Sequence, residues 1–404
     1  MSDAPAPGVA IVAAARTPVT GRSRAQGHLG ADQLAAPVLR HLASAAGQVP
    51  AAVVLGNCCG PGGNPARVAA LGAGFGTGAV GWSVDAQCGA GLVAIQQAAD
   101  HVLRTGAPVA AGGTESASTA PARLLAGVPY RQAPMAPAGF ADPDMTEAAD
   151  DLARQLGLGR ERQDAFAARS HALALEHAAL RSRETVPGLG RDDGPRRLGA
   201  GVLSRFRPVV DRPGATVTPA TAARVSDGAA AVLLVPAERA GRAGTATPQV
   251  APRGVPKPGA VGEPGRPMTV PCLLRAWVLT GGDPALPGLA PVAAVRAALD
   301  RAGVGLGELA AVELVEAYAA QALAALDGLG LAEPVDGGTG SRIDPRVNAA
   351  GGALALGHPW GASGALAVVR LVHRLDGMAP GSLGVAACAI GGGMGAAMVL
   401  ERLP

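Results

Sequence analysis

Lysine is almost missing from this 404-residue chain: Lys257 is the only one among 34 basic residues, and the other 33 are arginine. Aromatic residues make up only 2%. A nucleic-acid surface needs clustered basic residues and stacking rings, so that class of partner is set aside. The formal net charge is +3, too small to mark a strongly acidic partner. Hydrophobic content is 49%, yet no run reaches the roughly 18 uninterrupted apolar residues of a membrane span. Residues 1–12 lack a basic segment followed by a long apolar stretch, so no secretory signal is expected. The five cysteines, Cys58, Cys59, Cys88, Cys272 and Cys388, are odd in number and scattered. That pattern excludes a disulfide scaffold and a metal site of paired ligands. A bacterial-type cytosol is the expected compartment.

Alternating apolar runs and helical periods are plentiful. Strands are expected at 9–14, 53–55, 80–84 and 109–111, with helices at 32–46, 65–72 and 92–104. Between 117 and 216 the chain turns richer in charge and proline, with one long helix at 160–183, and reads as an insertion laid over a site. Alternation returns with a strand at 229–235. Residues 253–266 are rich in Pro and Gly and read as a linker. A second unit follows, with helices at 291–302, 319–329 and 365–375 and strands at 311–314, 383–387 and 395–401. Alternation of this kind predicts an α/β sheet covered on both faces. The halves echo each other, which suggests a duplicated core.

Three glycine-rich spots carry chemistry. In Val84-Asp85-Ala86-Gln87-Cys88-Gly89-Ala90-Gly91-Leu92 a thiol sits where a strand turns into a helix, with small residues to sharpen the turn. The helix dipole there lowers a thiol pKa, and free N–H groups suit an oxyanion. The same residue type is as often a buried, inert thiol. In the second spot, residues 348–364, His358 is held between glycines and followed by Pro359. It suits base or oxyanion duty, or a histidine satisfied within the core. The other six histidines, including His171 and His373, read as surface residues. The third spot, Cys388-Ala389-Ile390-Gly391-Gly392-Gly393-Met394-Gly395, is a strand end entering a glycine turn.

Together these stretches resemble the thiolase family over nearly the whole chain. Further matches are Ala13-Ala14-Ala15-Arg16-Thr17-Pro18, Gly112-Gly113-Thr114-Glu115-Ser116, Ser226-Asp227-Gly228 and Glu316-Ala317-Tyr318-Ala319-Ala320-Gln321. The resemblance implies a thiolase fold: two duplicated α/β halves with mixed five-stranded sheets, layered α-β-α-β-α, plus a loop domain. The halves would be 1–250, with the loop domain at about 117–216, and 251–404. It also implies an acyltransferase. Cys88 would take an acyl group from a thioester, His358 would activate it, and the N–H groups of Cys88 and Gly391 would hold the oxyanion. The substrate would be a coenzyme A thioester or an acyl-carrier-protein thioester, with no metal and no permanently bound cofactor. The chain would pair as a homodimer or homotetramer through residues 80–84. Coenzyme contacts are expected at Arg205, Arg207, Ala223, Met145 and Ser226. A non-catalytic subunit supporting a partner enzyme is the alternative.

The departures from the family pattern are specific. Aligning the C-terminal glycines puts Ala389 at the family's second cysteine and Cys388 one residue early, so the Cys388 side chain is expected on the opposite strand face, pointing away from Cys88 unless a bulge re-aims it. Val315 replaces a water-anchoring Asn, Ala223 a coenzyme-contacting Ser, and Asp144 a frequent His.

Overall fold

A computed structural model describes residues 8–130, 133–242, 270–335 and 340–404. The expected linker at 253–266 and the 250/251 boundary lie outside the described residues. In the first half the chain order is β1 (Val9–Arg16), α1 (Ala31–Ala46), β2 (Ala52–Gly56), α2 (Pro65–Gly72), β3 (Val80–Val84), α3 (Ala90–Thr105) and β4 (Val109–Ser116). The loop region follows, with α4 (Met145–Gln155), α5 (Arg160–Glu176) and α6 (Ala178–Glu184), and β5 (Ser226–Pro236) closes this half. The second half has β6 (Cys272–Thr280), α7 (Ala290–Ala302), β7 (Leu309–Leu314), α8 (Ala319–Leu329), α9 (Trp360–Asp376), β8 (Leu383–Ile390) and β9 (Met394–Arg402). The helix expected at 160–183 is broken at His177 into α5 and α6.

These nine strands form one continuous sheet in the order β7-β8-β9-β6-β1-β5-β4-β2-β3, with Thr20–Gly21 off this path. Each half repeats one plan: two antiparallel neighbours, then a parallel one. The halves join where β1 meets β6, at Ala10↔Leu273 and Ile11↔Cys272. The expected fifth strand of the second half is reduced to one parallel bridge, Val312↔Val347. Pro345 has no N–H to donate there, and Asn348 at φ 45° turns the chain away.

Alternation along each strand sorts the core into three parts. Val9, Ile11, Ala386 and Cys388 face a middle layer with Leu92 and Ile95 of α3 and Val368 and Leu371 of α9. Ala10 and Val53 face α1 through Leu34 and Leu39. Val385 and Val399 face α7 and α8 through Val295 and Leu323. Burying each Leu, Ile or Val contributes about 1.5–3 kcal/mol, so these faces hold the layers together. Glycine lets the middle layer close: a Cβ on Gly113 would lie 1.9 Å from the Gly361 carbonyl oxygen. Gly112 and Gly113 therefore continue β4 rather than ending it, as the sequence pattern suggested.

Two histidines read as surface residues are buried. His373 on α9 bonds the Ala14 carbonyl through Nε2 at 3.1 Å, and His171 accepts the Arg196 N–H on Nδ1 at 3.3 Å. Both lie on helix faces that the loop region or the sheet covers, which periodicity in one helix does not reveal.

Candidate active site

The thiol is placed by a strained turn. Gln87 has φ 50°, an unusual value for a residue with a side chain, and its N–H is held by Asp85 Oδ1 at 3.0 Å. A short 3₁₀ turn, Gln87–Gly89, then leads into α3. Gly89 has an ordinary φ of −88°. It is needed because a Cβ there would lie 2.3 Å from Ile390 Cδ1. The elbow thus sits directly against the end of β8.

The imidazole is placed by backbone bonds. His358 N–H donates to the Arg224 carbonyl at 2.7 Å. Gly357 before it has φ 121°, and a Cβ there would strike Ser226 Oγ at 2.1 Å. His358 Nε2 lies 3.2 Å from Cys88 Sγ. Its Nδ1 lies 2.6 Å from Ser363 Oγ, and that hydroxyl donates to the Pro359 carbonyl at 3.0 Å. A hydroxyl has one proton to give, so Ser363 accepts the Nδ1 proton. Nε2 is left bare and faces the thiol. Burial lowers the His358 pKa to about 4, so the ring is neutral. Burial, with the charges of Glu115 and Asp85, pushes the Cys88 thiol up to about 12 against its own backbone N–H. The helix-start effect expected to favour thiolate is outweighed, and the resting pair is a neutral thiol beside a neutral base.

Glu115, at the end of β4, ties the two sides together. Its carboxylate accepts the Asn57 side-chain N–H at 2.9 Å, Cys58 N–H at 3.1 Å, Cys59 N–H at 3.0 Å and Gly361 N–H at 2.9 Å. Gly361 lies in the first turn of α9, where the helix dipole favours an anion. Burial raises the Glu115 carboxyl, and these N–H groups oppose the rise. Ser363 and Glu115 had no assigned role from sequence. Ser363 sits five residues past His358 inside the glycine stretch; the helix expected at 365–375 in fact begins at Trp360 and includes it.

Cys88 and His358 open into a cavity of about 350 Å³, also lined by Met145, Tyr318, Ala389 and Gly391. Among the expected site residues, Ala223, Ser226, Arg205 and Arg207 do not line it. Ala223 is half-buried and donates its N–H to Ala317 at 2.9 Å. Ser226 is fully buried under the His358 loop and donates to the Arg224 carbonyl at 2.9 Å. Arg205 and Arg207 are exposed. Asp144 caps α4, accepting the Thr146 N–H at 2.8 Å. Val315 lines a separate cavity of about 40 Å³ with Ser363 and Arg370.

Cys388 and Ala389 divide as a one-residue offset demands. Pairing of β8 with β9 runs without a shift from Leu383 to Ile390, so no bulge re-aims the thiol. Ala389 lines the cavity, and Cys388 is fully buried on the other face. That face does not point away from the elbow, as had been expected, because α3 lies on that side. The Cys388 thiol donates to the Cys88 carbonyl at 3.3 Å and contacts the Ala389 carbonyl at 3.1 Å.

Layered halves around a shared middle layer, with a thiol and an imidazole meeting at its helix starts, define a thiolase fold. Residues 9–238 match the N-terminal thiolase domain and residues 268–402 the C-terminal thiolase domain, and the chain belongs to the thiolase family of acyltransferases. It is 35% identical to the acetyl-CoA acetyltransferase of Pseudomonas aeruginosa, covering 98% of this chain and 99% of the relative. The Chromobacterium violaceum acetyl-CoA acetyltransferase is 34% identical, at 98% and 99%. The crystal structure of the Bacillus anthracis acetyl-CoA acetyltransferase is similar at TM-score 0.82 and 29% identity, covering 98% of this chain and 99% of that one. The Ascaris suum Acat5 thiolase in complex with coenzyme A gives 0.79 and 27%, at 98% and 100%.

Proposed function

We propose that the protein takes an acyl group from a coenzyme A or carrier-bound thioester onto Cys88 and passes it to an acceptor by an altered second half-reaction. The observation that carries this reading is the 3.2 Å approach of a bare His358 Nε2 to the Cys88 sulfur. In the first step the thiol proton moves to Nε2 as the sulfur attacks the thioester carbonyl. The new carbon–sulfur bond forms, the old one breaks, and the departing thiolate takes the proton back from His358. Coupling proton transfer to attack removes the need for a standing thiolate, which a pKa of about 12 would forbid. The N–H groups of Cys88 and Gly391 are the proposed oxyanion donors.

The second step lacks a thiol at position 389, so proton removal from an incoming acyl thioester has no base on that wall. Losing such a base costs about 10² to 10⁴ in rate. An acceptor that loses carbon dioxide, or an amine, alcohol or water, avoids this cost. Intact-mass measurement after incubation with acetyl-CoA is expected to show an acetyl adduct that is absent in Cys88→Ala. No adduct from any thioester would leave only the reading of a non-catalytic supporting subunit. Cleavage of acetoacetyl-CoA by free coenzyme A at ordinary thiolase rates would overturn the altered second step.

Contacts of Arg205 and Arg207 with coenzyme phosphates belong to the same proposal, as does a cytosolic homo-oligomer. β3 ends the sheet with one neighbouring strand, which supports pairing with a second copy. No described helix is long and apolar enough to cross a membrane.

A further inference from the structure

Among the described residues, the cavity wall carries two formally charged side chains, Asp144 and Arg123. Asp144 is committed to the cap of α4 through the Thr146 N–H. Arg123 is not balanced in the same way. It is half-buried, and its guanidinium donates to the carbonyl of Cys58. No carboxylate lies within ion-pair distance of it among the described residues, although fourteen such pairs occur elsewhere in them. The nearby Glu115 carboxylate is already taken by four N–H donors from Asn57, Cys58, Cys59 and Gly361. A partly desolvated guanidinium with one neutral partner among the described residues is complementary to a bidentate anion.

Its position says which anion. Arg123 bonds the carbonyl of Cys58, and the Cys58 thiol donates to the Gln87 carbonyl at 3.0 Å. Gln87 is the residue before the nucleophile. The guanidinium therefore lines the same cavity as Cys88 and is linked by two successive hydrogen bonds to the residue that precedes it. The phosphates of a coenzyme A thioester are separated from its thioester by the whole pantetheine arm, and cannot reach the elbow while the carbonyl sits at Cys88. A carboxylate at the far end of a short acyl chain can.

We propose that Arg123 selects a dicarboxylic acyl thioester, binding the free carboxylate while Cys88 takes the acyl carbon. This rests on the acyl-transfer reading of Cys88 and adds the class of acyl group. The covalent step is unchanged: the Cys88 sulfur–acyl bond forms, the donor's thioester bond breaks, and the thiol proton passes through His358 to the leaving thiolate. The free carboxylate neither gains nor loses a proton.

The test uses N-acetylcysteamine thioesters, which carry no phosphate. Glutaryl and pentanoyl esters have the same backbone length and differ in the terminal carboxylate. The rate of adduct formation is followed by intact mass on the full-length protein. The expected result is faster acylation by the glutaryl ester, with the glutaryl-to-pentanoyl ratio falling roughly 10- to 100-fold in Arg123→Met, the range of a charge-assisted bond. Arg123→Lys is expected to keep part of the ratio. Because the readout is a ratio within one protein, partial unfolding of a variant does not imitate it. Equal rates for both esters in the native protein, or a ratio unchanged in Arg123→Met, would overturn the assignment. So would a variant slowed only with coenzyme A esters, since the guanidinium would then serve the phosphates. Failure of every ester to label Cys88 is a different result: it removes the acyl-transfer reading and this one with it.

Discussion

Cys88 and His358 stand at corresponding places in the two halves of the chain. Each lies just before the long helix that its half contributes to the middle layer, α3 in one and α9 in the other. The ways they are held differ. Before α3 the chain turns within three residues, through a strained Gln87 and a glycine that only a bare Cα could fill. Before α9 the chain crosses a longer loop, and hydrogen bonds do the holding: Asn348 Nδ2 to Glu316 at 2.6 Å, Ser170 Oγ to Glu316 at 2.6 Å, and the His358 N–H to the Arg224 carbonyl at 2.7 Å. One half fixes a nucleophile by sterics. The other fixes a base by polar bonds added to a glycine at 357, and the Ser363 hydroxyl chooses its tautomer.

That contrast can be broken at graded strength. His358→Ala should slow Cys88 acylation by about 10² to 10⁴ while leaving the adduct site unchanged, read by time-resolved intact mass. An unaffected rate would mean that the base lies elsewhere. Glu184→Ala should cost about 3–5 kcal/mol in denaturant unfolding, because it leaves the buried Arg370 of α9 without its carboxylate and leaves Arg16 of β1 with Asp192 alone. Burial alone would raise the Glu184 carboxyl, but the Arg370 and Arg16 charges win and lower it. A lowered carboxyl stabilises the fold above its unfolded pKa, and that stability is lost as pH falls through the folded value. The native protein should therefore lose stability below the ordinary carboxyl range, with a shallower loss in Glu184→Gln.

Ser363→Ala should slow acylation by about tenfold, since Nδ1 loses the acceptor that keeps Nε2 bare. A loss of folding stability with no change in rate per folded molecule would assign Ser363 to packing alone. The smallest effect concerns pH. With the thiol near 12 and the imidazole near 4, iodoacetamide should react slowly with Cys88. Its rate should show no inflection between about pH 6 and 9 of the kind an ordinary thiol gives. A plateau reached near neutrality would reveal a thiolate–imidazolium pair instead.

Much of the frame was legible in the sequence. The helices at 65–72 and 319–329 and the strand at 80–84 fall where periodicity puts them, because each is a short amphipathic or apolar run with clear breakers. Cys88 and His358 stood out as reactive side chains set among glycines. What failed has a common cause. The expected strand at 109–111 stopped before Gly112 and Gly113 and the expected helix at 365–375 started after Gly361 and Gly364, whereas these glycines lie within β4 and α9 and permit close contact with neighbouring strand and helix. A single chain segment shows its own conformational freedom and not the neighbour that needs the space. The strand Cys272–Thr280 was missed for a related reason. It follows the linker and has mixed burial, so alternation is weak. The thiol pKa was misjudged in direction because a helix start is visible in sequence and burial beside Glu115 is not.

The carboxylate of Glu115 has a kinetic consequence. It grips Cys58 and Cys59 backbone in one half and Gly361 backbone in the other, and parting them would orphan a buried charge held by four donors. Hinging the two halves apart to admit a ligand would break these bonds. Sulfur and imidazole wait preassembled in a cavity whose wall includes Met145 and Thr146 at the start of their helix.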